Sequence, residues 1–132
     1  MLPAALHAAL VDACHAAGTP RLAFVFGSVA RGTARADSDL DIAIDLDRPL
    51  TADDKLRLID ALAAASGRAV DLVDLRRAGV PLTGEILAGG LRLVGDVAAH
   101  GALTARHLTD VADFLPAYQR VIDQRLAALT AR

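Results

Sequence analysis

Apolar positions along this chain follow two different periods. They run unbroken through Leu22–Phe26 (LAFVF) and alternate with polar ones through Asp39–Ile44 (DLDIAI), which predicts two strands. In Leu2–Ala17, in Thr51–Ser66 and beyond Leu103 they recur every three or four residues, which predicts helices. The first helix carries Leu2, Leu6, Leu10, Ala13 and Cys14 and is expected to end at Gly18 and Pro20, packed across one face of a sheet. The second follows Pro49, opens with Thr51 and Asp54 spaced as a capping box, and closes at Gly67. Arg68–Leu75 (RAVDLVDL) predicts a third strand. From Leu103 onward, Leu108, Val111, Leu115, Tyr118, Ile122 and Leu129 form one apolar face of a helix or helix pair. Pro116 marks either a kink or the first turn of a second helix. The pattern serves packing on the chain's own sheet and docking of a partner equally well.

The chemistry lies in Leu22–Leu46, which reads as strand, glycine turn, short helix, strand. Side chains alternate faces along a strand, so Asp39 and Asp41 point one way while Leu40, Ile42 and Ile44 point into a core. Two carboxylates aimed at one spot repel unless a cation sits between them, and the hard divalent ion that suits one or two carboxylates plus substrate phosphates is Mg²⁺. Gly27-Ser28 ends a strand and opens a helix, which leaves backbone N–H groups free for phosphate oxygens; the Ser28 hydroxyl and, one turn on, Arg31 add further donors. Asp71 lies inside an apolar run expected to be central and buried, where a carboxylate is costly without compensation. Asp74, of opposite parity, is expected to be exposed, and so are Asp45 and Asp47. Asp45 lies roughly 13 Å along the strand from Asp41, too far to share an ion.

Ten residues separate Ser28 from Asp39, and this spacing of Gly27-Ser28 and Asp39-Leu40-Asp41 resembles the minimal nucleotidyltransferase family of the DNA polymerase β-like superfamily. Ala30-Arg31-Gly32 and Ser38 match its flanking pattern. The resemblance extends over about residues 5 to 95. It implies an α/β (α+β) polymerase β-like palm, a mixed sheet of about four strands flanked by helices, with a short helix around Glu85 and a final strand at Leu91–Val94. Residues 1–98 would form that palm and 99–132 a C-terminal helical extension of the same compact unit. In such enzymes a third carboxylate on the neighbouring strand completes the metal site, and Asp71 matches it.

The implied reaction is transfer of AMP from ATP, with two Mg²⁺ ions held by Asp39, Asp41 and Asp71 and the phosphates held by Gly27, Ser28 and Arg31. Family members of this size resemble antitoxins of the type VII kind, whose partner is a HEPN-domain ribonuclease toxin and whose acceptor is a tyrosine hydroxyl on it. Two other readings stay open: an antitoxin that acts by binding alone, and a free-standing enzyme that modifies a small molecule. The second is disfavoured by length and by the lack of another acidic, cation-binding region.

Composition narrows the classes further. At 132 residues the chain suits one domain, and 54% hydrophobic with 23% charged residues describes a folded protein. A net charge of −2 without a basic cluster argues against a long nucleic-acid groove. Two rival phosphate motifs are missing: Gly27–Thr33 has the outer spacing of a P-loop without its lysine, and no G-x-G-x-x-G occurs. The single cysteine, Cys14, fits a small core residue in a reducing cytoplasm. The apolar N-terminus lacks a basic leader region, and no apolar run is long enough for a membrane span. His7, His15, His100 and His107 have no ligand spacing.

Overall fold

The structure, a computed structural model, describes residues 2–130; residues 1, 131 and 132, the outer ends of the two expected segments, lie outside the described residues. In chain order the elements are α1 (Ala4–Ala13), β1 (Leu22–Phe26), α2 (Gly27–Arg31), β2 (Leu40–Asp45), α3 (Ala52–Ser66), β3 (Val70–Asp74), α4 (Val80–Gly89), β4 (Leu91–Val94) and α5 (Val97–Thr130). The four strands form one mixed sheet in the order β3-β2-β1-β4, with β2 antiparallel to β1, β1 antiparallel to β4 and β2 parallel to β3.

Alternation along β2 separates two cores. Leu40, Ile42 and Ile44 join Leu10, Cys14, Ala23, Val25, Leu58 and Leu62 beneath α1 and α3. Ala43 lies on the opposite face with Leu22, Phe24, Phe26, Leu75, Ile86 and Leu103, under α4 and the first turns of α5. The sheet is therefore a layer between helices, and Asp41 shares the α4 face. Burial pushes the Cys14 thiol up to about 12, which leaves it a neutral packing group.

Helix α3 begins at the expected capping box. Thr51 Oγ1 accepts from Asp54 N at 3.1 Å, and Asp54 Oδ2 accepts from Thr51 N at 2.8 Å. The Arg48 guanidinium also pairs with Asp54, and these bonds hold its carboxyl well below the usual carboxylate range. Gly67, in the left-handed region at φ 68°, ends the helix as expected.

Four expectations need correction. Helix α1 stops at Ala13 rather than Ala17, because His15, Ala16 and Gly18 each bond three residues back and wind the chain into tight turns. Strand β3 is an edge strand, so Asp71 is exposed rather than buried. Asp45 is buried, 7% exposed, with Oδ1 accepting from Asp47 N at 2.7 Å. Asp74 is half-buried, because it accepts from Leu50 N and Arg76 N, both at 3.1 Å, and ties the end of β3 to the loop before α3.

Helix α5 resolves the ambiguity at its C-terminal half. It runs as one helix through Pro116, whose exposed position leaves the carbonyl it cannot serve open to water. Leu103 is its one buried residue among those described. Past Arg106 the helix leaves the sheet, and Leu108, Leu115, Tyr118 and Leu129 are 65%, 55%, 54% and 69% exposed. The expected division at residues 98 and 99 falls in the first turn of this helix. No helix among the described residues is long and apolar enough to cross a membrane.

Candidate active site

The site forms at one end of the two central strands. Register places Phe26 of β1 opposite Asp41 of β2, and Asp41 opposite Asp71 of β3, so one rung crosses the sheet from the glycine turn to two carboxylates. Asp39 stands just outside β2, exposed, on the same side as Asp41 by strand parity.

Gly27 opens α2 with φ 69°, a left-handed conformation that costs most residues energy. Its missing side chain matters for a second reason. A Cβ placed there would overlap Asp41 Oδ2 and come within 3.1 Å of Asp41 Cγ. The acidic group is thus pressed directly on the glycine backbone, and the two halves of the motif touch. The first N–H groups of α2, at Gly27 and Ser28, have no partner within the helix. Ser28 is half-buried beside them, and Arg31 is exposed at the end of α2.

The Asp41 carboxyl is raised above its ordinary value. Burial is the largest cause; the charges of Asp71, Asp39 and Glu85 follow, and the Asp71 carboxyl is close enough to share a hydrogen bond with it. Of the residues expected at the site, Gly27, Ser28, Asp39, Asp41 and Asp71 are therefore gathered, while Arg31 stands on the rim. Among the described residues no three Asp, Glu, His or Cys side chains stand close enough together to hold a metal ion by themselves. The donor set nonetheless fits a hard divalent cation: its oxygens come from carboxylates whose mutual repulsion such an ion would relieve.

Two contributors escape a reading of strands alone. Glu85 is the sole charged residue of α4 (VPLTGEILAG), and that isolation is the signal that could have found it. The other is Arg68, just before β3, which bonds the loop leading into Asp39.

A family model described as Polymerase beta, Nucleotidyltransferase matches residues 9–96. The chain belongs to this nucleotidyltransferase family. Over 112 residues the nucleotidyltransferase is 30% identical to the protein adenylyltransferase MntA of Shewanella oneidensis, covering 85% of this chain and 81% of that protein. Its fold matches the crystal structure of a toxin-antitoxin with AMP-PNP at a TM-score of 0.80, with 26% identity over 92% of this chain and 98% of the other. A third match, at a TM-score of 0.74 and 24% identity over 92% and 97% of the two chains, is to a complex of a tri-AMPylated Shewanella oneidensis HEPN toxin with its MNT antitoxin; at that identity it speaks for the fold. The palm architecture and the enzyme class expected from the Gly-Ser and Asp-x-Asp spacing are thus established for this nucleotidyltransferase.

Proposed function

We propose that this nucleotidyltransferase is a Mg²⁺-dependent protein adenylyltransferase that silences a HEPN ribonuclease toxin by moving AMP from ATP to a tyrosine hydroxyl on that partner. The observation that carries the reading is the rung of Asp41 and Asp71 set against the Gly27 turn, in a chain that matches MntA over most of its length. Bound Mg²⁺ would supply Lewis-acid charge to the α-phosphate and the leaving pyrophosphate, held by Asp39, Asp41 and Asp71.

The chain's own groups do the rest. Gly27 N–H, Ser28 and the guanidinium of Arg31 grip the β- and γ-phosphates, which orients the α-phosphorus toward the acceptor. Asp71, exposed on the edge strand, can reach an incoming macromolecule and takes the hydroxyl proton as the O–P bond forms and pyrophosphate leaves. Beyond β4 the described residues form α5, which offers a surface on which the acceptor protein docks. The exposed apolar face of α5, from Leu108 to Leu129, is the surface that holds the toxin.

Incubation with α-labelled ATP, Mg²⁺ and the product of the neighbouring gene tests this directly. Label on the partner's tyrosine that disappears with Asp39→Ala/Asp41→Ala is the expected result. A stable complex that silences the partner without label would reject transfer and leave binding through α5 as the function.

A further inference from the structure

The loop that delivers Asp39 is held by a residue outside the motif. Residues 32–39 join α2 to β2 without regular structure, and most of them are exposed. Within the loop, Arg35 N donates to Ser38 Oγ at 2.8 Å and Ser38 N donates to Arg35 O at 3.1 Å, which closes a tight turn. Both carbonyls of that turn point toward the start of β3, where Arg68 Nη1 donates to Arg35 O at 2.6 Å and to Ser38 O at 3.0 Å.

Ser38 immediately precedes Asp39, so this clamp fixes the peptide from which the first carboxylate projects. Arg68 is itself held. Its side chain is half-buried, its N–H donates to Ser66 Oγ at 3.2 Å, and it follows the Gly67 turn that caps α3. No carboxylate lies within ion-pair distance of it among the described residues. The guanidinium is spent on two backbone carbonyls. Charge-assisted bonds of this kind are roughly twice as strong as neutral ones, and they act beside the Leu40 N–H bond to Ala69 O at 2.8 Å that holds the residue after Asp39.

We propose that Arg68 is a positioning residue that sets the Asp39 carboxylate for divalent-cation binding, acting through the Arg35–Ser38 turn. The proposal rests on the reading of Asp39 as a metal ligand. Residues that orient metal ligands from behind typically change metal affinity about 10- to 100-fold when removed. Loss of the clamp should therefore raise the metal requirement and leave nucleotide contacts made by α2 intact.

The test is calorimetric titration of the full chain with AMP-PNP across a series of Mg²⁺ concentrations, which needs no turnover. Arg68→Ala should raise the Mg²⁺ concentration for half-maximal binding about tenfold, with metal-free AMP-PNP affinity unchanged, and Arg68→Lys should recover much of the loss. Wild-type Mg²⁺ dependence in Arg68→Ala, or equal weakening with and without Mg²⁺, would overturn the proposal. Asp39→Asn run in parallel separates the two layers of argument. If Asp39→Asn itself keeps wild-type Mg²⁺ dependence, the metal-ligand reading fails; if only Arg68→Ala does, the positioning role alone fails.

Discussion

Replacing Gly27 by alanine separates two costs that a glycine in this family's turn carries together. The first is conformational. Gly27 sits at φ 69°, where an L-residue pays roughly 1–2 kcal/mol, a loss of a few degrees in Tm for a domain of this size. The second is steric, because the new Cβ would overlap Asp41 Oδ2, so the carboxylate must swing away from the rung it shares with Asp71. Gly67 provides the control: its φ is 68°, and a Cβ there meets nothing within 4 Å. Gly67→Ala should lose the same roughly 1–2 kcal/mol in urea unfolding and keep its AMP transfer. Gly27→Ala should lose at least that much stability and transfer AMP on the order of 100-fold more slowly, because a displacement of about 1 Å at a reacting centre costs that much. Transfer by Gly27→Ala at the wild-type rate would refute the argument that the glycine exists to admit Asp41.

Two further outcomes follow from charge and exposure. Asp41 has its carboxyl raised in the folded protein, so its ionised form costs stability above the folded value, and the cost vanishes at pH below the ordinary carboxylate range, where both states are protonated. Asp41→Asn should accordingly melt above wild type at pH 7 in metal-free buffer, with the gap closing toward pH 3; calorimetry showing it less stable at pH 7 would contradict the crowded-carboxylate account. On α5, Leu115→Asp with Tyr118→Asp should leave the melting of the palm within about 0.5 kcal/mol of wild type, because both side chains are more than half exposed, yet abolish the proposed complex with a HEPN partner on size exclusion; a retained complex would move the docking surface elsewhere.

The palm was legible because its signals are local. Leu40, Ile42 and Ile44 alternate with Asp41 in five residues, and Thr51 with Asp54 announces a helix that begins where expected. The position of β3 was not, since Val70–Asp74 reads as apolar as a central strand, and only pairing reveals that one of its edges is free. Expected burial singles Asp71 out in the sequence, and that reason fails; its place opposite Asp41, which the family resemblance implies, depends on partners 30 residues away. Asp45 and Asp74 look solvated in the sequence, which cannot show the backbone N–H groups waiting for them. Arg68 was invisible for a similar reason: its acceptors are carbonyls, which every residue has.

The rung through Phe26, Asp41 and Asp71 joins a short-range pairing to a long-range one. Phe26 and Asp41 are 15 residues apart in the chain, whereas Asp41 and Asp71 are 30 apart and joined through a whole helix. Doubling a loop adds only about 0.6 kcal/mol of closure entropy, yet the later pairing must also await α3. The glycine turn and the Asp-x-Asp strand are thus a local antiparallel unit that already carries two acids. The third acid sits on the edge strand, paired parallel to β2, and adds its charge to that of Asp39 and Glu85 around Asp41. If the proposed cation site holds, a divalent ion would stabilise the docked edge strand as well as the nucleotide, because it offsets the charge that gathers when Asp71 pairs opposite Asp41.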